Sequence, residues 1–144
     1  MGRGLSVLDA KSRLSLGAPE QAARLLQSTD LELRLLALNW VGTQGRRDDA
    51  ELVRPFLREE DPRLVEAAIF ALTRVGSVAD VSALIAQTMH NDEVVARQAY
   101  VALGEIGGSQ AEAYLRFAAR NEDEPQRRRA AELALRSSGQ SSSA

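Results

Sequence analysis

Four stretches of this chain repeat one another, and that self-similarity restricts its fold more than any other feature. They start at Asp30 (DLELRLLALNWVGTQG), Asp61 (DPRLVEAAIFALTRVG), Asp92 (DEVVARQAYVALGEIG) and Glu124 (EPQRRRAAELALRSSG), at spacings of 31, 31 and 32 residues. Seven positions after the acid stands Ala37, Ala68, Ala99 or Ala131, and eleven after it Val41, Leu72, Leu103 or Leu135. Fifteen after it comes glycine: Gly45, Gly76, Gly107 and Gly139.

Each column has a physical reason. An acid ahead of a helix accepts hydrogen bonds from its free N–H groups and opposes the positive end of its dipole. Pro62 and Pro125 follow at the first helical position, where a missing N–H costs nothing. Leu33, Ala37 and Val41 recur every four residues and predict an apolar helical stripe. The small Ala admits a neighbouring helix, and the glycine is expected to end the helix in the left-handed region.

Between each glycine and the next acid the sequence predicts a second helix: Asp48 to Arg58, Val78 to Met89, and Gln110 to Arg120. Their expected inward positions include Leu52, Val53, Phe56 and Leu57, then Val81, Leu84, Ile85 and Thr88. The third offers Ala111, Tyr114, Leu115, Ala118 and Ala119. An incomplete unit precedes them, with Leu5, Leu8 and Leu14 in one short helix and Ala22, Leu25 and Leu26 in the next. A lone helix from Pro125 to about Arg136 follows. The expected fold is all-α, with helix pairs stacked in one direction, because no pair can bury its own stripe alone.

Composition agrees and removes several functions. Of 144 residues, 44% are hydrophobic but only 4% aromatic, and Ala and Leu supply most of the apolar share, which favours helices. The absence of cysteine excludes disulfides, thiolate zinc sites and cysteine nucleophiles. His90 is the single histidine, too few for a His-based metal site and a poor start for a Ser-His-Asp triad. No Gly-rich phosphate loop occurs. The net charge of −2 argues against a generally basic nucleic-acid binder. No apolar run approaches the ~20 residues of a membrane span, so a cytoplasmic location is expected, or a periplasmic one if the chain is a fragment.

The pattern D-x-x-V-R-x-x-A-x-x-A-L-G resembles the short bacterial HEAT repeat of the PBS-lyase HEAT-like kind. The third copy carries it best, in Asp92, Val95, Ala99, Ala102, Leu103 and Gly104. The resemblance covers residues 30–139. It implies one α-solenoid domain over 1–139: a partial unit 1–29, repeats 30–60, 61–91 and 92–123, a capping helix 124–139, and a disordered tail 140–144. In that family an arginine after the Val position bridges to acids of the adjacent repeat. Arg34 and Arg128 stand there, but Val65 and Ala96 do not, which interrupts any ladder.

The resemblance further implies that the second helices line a concave face. On that arrangement Arg54 and Arg58 fall on one side of Ile85 and Met89, with Arg116, Phe117 and Arg120 on the other. An apolar strip between guanidiniums suits an acidic amphipathic segment of another protein, bound without chemistry or cofactor. If the second helices are rotated instead, Ile85 enters the core and the arginines are merely solvated. The alternatives are a nucleic-acid-binding module, disfavoured by charge, and an accessory subunit of an enzyme such as a bilin lyase.

The remaining features have plainer readings. In Arg127-Arg128-Arg129, Arg128 is expected to face the preceding repeat and the other two to face water. Trp40 falls in an apolar column and is expected to pack, and His90 to interact with a helix end. The acids Asp48-Asp49 and Glu59-Glu60-Asp61 are explained largely by capping. Leu5, Val7, Leu8, Leu14 and Leu16 predict that the N-terminal end contacts a missing segment, a second copy or a neighbour.

Overall fold

A computed structural model describes residues 19–142, together with Leu8, which is exposed. The predicted first helix and the other apolar residues of the N-terminal end lie outside these residues. The described part is all-helical. The elements are α1 (Pro19–Leu26), α2 (Leu31–Gln44), α3 (Ala50–Val53), α4 (Pro62–Val75), α5 (Val81–Gln87), α6 (Glu93–Ile106), α7 (Ser109–Asn121) and α8 (Pro125–Ser142).

Acidic caps start the long helices as the repeat predicts. The Asp30 and Asp61 side chains accept from the N–H groups of Glu32 and Arg63, and Asp92 accepts from both Val94 and Val95. Glu124 does the same for Arg127, at 3.0 Å. Pro62 and Pro125 occupy the first helical positions of α4 and α8.

The helix ends depart from expectation. Gly45 and Gly76 stop α2 and α4 in an extended conformation, with φ of −69° and −78°. Their glycine is required by space instead. A Cβ at Gly45 would lie 2.6 Å from the Val41 carbonyl oxygen, and one at Gly76 would lie 2.6 Å from that of Leu72. Only Gly107, at φ 70°, takes the left-handed region expected of all four. Gly139 ends nothing, because α8 continues to Ser142 through much of the expected tail. Ser138 explains the extension: it is buried, and its hydroxyl donates to Glu112 Oε1 at 3.1 Å, holding that turn against α7.

The first two of the second helices are shorter than predicted, whereas the third, α7, spans its predicted Gln110–Arg120 and one residue more at each end. Around Pro55 the chain tightens into 3-10 turns, so that α3 is a single α-turn flanked by Arg47–Asp49 and Arg54–Arg58. Proline has no N–H to give to the carbonyl four residues back, which breaks the α-helical ladder there. Another 3-10 turn, Val78–Asp80, leads into α5.

Packing follows the columns. α2 lies against α4, α4 against α6, and α6 against α8, so the four copies form a row; α7 also packs on α8. Ala37, Ala68, Ala99 and Ala131 are all 0% exposed. At Gly104 one helix backbone comes close to another, since an added Cβ would lie 2.7 Å from the Ala134 carbonyl oxygen. Gly42, one copy-register equivalent of Gly104, likewise leaves room for the Phe70 ring. Trp40 is partly buried against the core. In α1, Ala22, Leu25 and Leu26 are buried and cover α2.

Enlarging the alanine column should therefore be costly. Ala99→Leu is expected to lose about 1–3 kcal/mol of unfolding free energy in urea by overpacking. Val101→Ala, exposed on the same helix, should stay within ~0.5 kcal/mol.

Candidate protein-interaction groove

The residues singled out on the second helices are dispersed by the structure into three environments. Arg54 and Arg58 line a groove of about 710 Å3 between α3 and α5. Its far wall is made by Ala79, in the turn that leads into α5, and by Ala83 and Ala86 of α5, rather than by Ile85 and Met89. The rotation of α5 turns Ile85 partly inward onto the core, while Met89 is exposed just past the helix end. Arg116, Phe117 and Arg120 are exposed on α7 and do not line this groove.

Arg54 is not a free cation. Its Nε donates to Asp80 Oδ1 at 2.6 Å, and a terminal nitrogen donates to Oδ2 at 3.3 Å. Asp80 is 3% exposed and sits one unit further along the chain, where it also accepts from the Ser77 N–H at 3.0 Å. Burial pushes this carboxyl up, but the hydrogen bonds from Arg54 and Ser77, with the guanidinium charge, outweigh it. The net result holds Asp80 below its ordinary range. The groove wall is thus fixed by an ion pair between consecutive units. Arg58 remains exposed at its rim, and Arg116 makes only a 3.7 Å contact with Glu112 on its own helix.

Phe117 ends a short aromatic series. The buried Tyr100 ring stacks on Tyr114 with centroids 6.3 Å apart, and Tyr114 stands 6.4 Å from Phe117. Tyr100 donates its hydroxyl to Glu122 Oε2 at 2.8 Å. Burial is the largest cause that pushes its phenol up, followed by that hydrogen bond to Glu122. The Tyr114 hydroxyl shares a 2.8 Å hydrogen bond with Thr88 Oγ1, which anchors α7 to the end of α5. Phe117, 60% exposed, therefore projects from a rigid base.

In the basic run Arg128 turns back to the preceding repeat as expected, but Arg127, expected in water, turns back as well. Arg127 reaches two earlier units: it donates to Glu93 Oε1 at 3.1 Å, to the Thr88 carbonyl at 3.3 Å and to the His90 carbonyl at 2.9 Å. Arg128 donates to the Glu122 carbonyl, and Arg129 is exposed. Arg127 holds the column occupied by Leu33, Leu64 and Val95 in the other copies, which was the available signal that it turns inward. Arg34 lies 3.9 Å from Glu59. His90 accepts the Asp92 N–H on Nδ1 at 2.9 Å, a local turn contact. No family model matches the chain, and no curated protein matches it. Among the described residues, no helix is long and apolar enough to cross a membrane.

The Asp80 pair has a pH signature. A carboxyl lowered in the folded state stabilises above its unfolded pKa, about 3.9, and that stability is lost as pH falls through the folded value. The urea midpoint should therefore drop on acidification below about pH 4, and Asp80→Asn should flatten part of that slope. An unchanged slope would show that Asp80 titrates alike in the folded and unfolded states.

Proposed function

We propose that the chain is an α-solenoid of HEAT-like repeats that acts as a non-catalytic protein-interaction module. Its partner is a peptide or helix of another protein, bound along the row of second helices. The observation that carries this reading is the open groove between α3 and α5, with small apolar side chains on its α5 wall and arginines at its edge. Alanines leave space for a partner's larger side chains, and the exposed Arg58 offers a charge at the rim, where pairing favours specificity and capture rate. Met89 and Phe117 extend the apolar surface along the same row. The sequence supplies the repeat period on which the solenoid reading rests.

The residues suited to testing this are not all those that the sequence first suggests. Reversing Arg54 would set two carboxylates together at Asp80 and damage the fold. Arg58→Glu, Phe117→Ala and Arg120→Glu leave that pair intact. Peptides selected from a helical display library on the immobilised protein should be rich in carboxylates. The triple variant should weaken their binding at least tenfold, about 1.4 kcal/mol, while Tm holds. Equal binding by the variant would place the partner elsewhere. Titration with duplex DNA separates the nucleic-acid alternative, which requires affinity that falls as a power law in salt. Acceleration of bilin transfer by a candidate lyase would instead favour the accessory-subunit alternative.

A further inference from the structure

The opposite face of the molecule carries an apolar row that stacking does not require. Eight large apolar side chains are exposed among the described residues, and four of them, Phe70, Val94, Val101 and Leu133, lie on α4, α6 and α8. Phe70, Val101 and Leu133 share one repeat column, nine residues after the acid, so the period itself aligns them across three helices. Val94 lies seven residues before Val101 on the same side of α6. Single exposed apolar residues are ordinary, whereas an aligned group of them is a binding feature.

The surface between these residues is concave. A hollow of about 360 Å3 lies between α6 and α8, and another of about 400 Å3 reaches from α6 across α4 to α2. Gln98 lines both, so the two hollows adjoin at that residue and together make an outer channel. None of its lining residues belongs to α3, α5 or α7, which separates it from the groove of the second helices.

Its charges are specific. Arg97 and Arg129 line the hollow beside Val94, Val101 and Leu133, against a single acid, Glu105, so its lining is net positive. Arg97 makes a 3.9 Å contact with the Glu93 carboxylate and a 3.5 Å hydrogen bond to that residue's carbonyl, both within its own helix, and Arg129 has no acidic partner among the described residues. Arg63, by contrast, is committed to Asp61 at 2.9 Å. Two guanidiniums little used by the fold therefore flank an apolar channel.

We propose that this channel docks an amphipathic helix of a second protein, with an aliphatic stripe and a carboxylate-bearing flank. Packed helices lie ~8–10 Å apart, and seven residues of an α-helix advance about 10.5 Å. A helix laid across the row with an apolar residue in every heptad thus meets one member of the Phe70, Val101 and Leu133 column per step. Its acidic flank meets Arg97 and Arg129, and electrostatic complementarity of this kind sets orientation and capture rate. An isologous pair of copies of this chain would bring the same arginine-bearing patch to both sides, which disfavours self-association here.

The test uses the whole chain and a synthetic peptide of three heptads with a leucine stripe and a glutamate flank. Its control has lysine for each glutamate. Fluorescence anisotropy should show binding of the acidic peptide and not of the basic one. Arg97→Glu with Arg129→Glu, or Val101→Glu alone, should weaken it at least about tenfold, with circular dichroism and Tm held. Arg58→Glu with Phe117→Ala should leave it unchanged. The proposal is overturned if neither peptide binds, if both bind equally, or if only the Arg58 and Phe117 changes matter. Sedimentation that reveals a dimer broken by Val101→Glu would also overturn it, in favour of a second copy.

Discussion

The close approach of one helix to the next at an alanine is the contact on which the rest of this molecule depends. Ala37, Ala68, Ala99 and Ala131 are each sealed from water, and around them Leu64, Leu72, Val95 and Leu103 interdigitate in a continuous core. The apolar stripe of each copy is hidden mainly by its neighbours, so burial of roughly 25 cal/mol per Å2 accrues at interfaces between units. Glycine serves the same geometry at Gly104, where α6 and α8 nearly touch backbone to backbone.

Polar contacts reinforce the stack with the period of the sequence. Helix ends leave carbonyls without intrahelical partners, and several are satisfied by a later copy. Arg74 donates to the Gly45 carbonyl at 3.0 Å, Gln87 to that of Leu57 at 3.2 Å, and Arg127 to those of Thr88 and His90. Arg54 and Asp80 join consecutive units through charge, as do Arg127 and Glu93. These donors sit about one repeat from their acceptors, so they fix register between units as well as the ends within them.

Much of this was legible in the residues. The acidic caps, the stripe of Leu33, Ala37 and Val41, and the helix pairs follow from spacing, because capping and burial are local or periodic. Less legible was whatever depends on rotation about a helix axis. Spacing put Ile85 beside Arg54, but α5 turns so that Ala83 and Ala86 face the groove. The pairing of Arg54 with Asp80 joins residues on different units, and nothing local announces it. The glycines were assigned correctly as helix ends at 45, 76 and 107 but for the wrong reason at the first two, where crowding by a carbonyl rules. Phe70, Val101 and Leu133 were visible as a column yet gave no hint of facing outward, since a stripe looks alike on either side.

Arg127 gives the terminal helix a particular mechanical character. Three of its nitrogens grip the corner where α5 gives way to α6, while the Glu124 cap fastens the same end of α8. Further along, Ser138 ties α8 to Glu112 of α7. Any loosening of α8 that spares this fastening leaves the chain moored to the stack, so its reattachment needs no search through space.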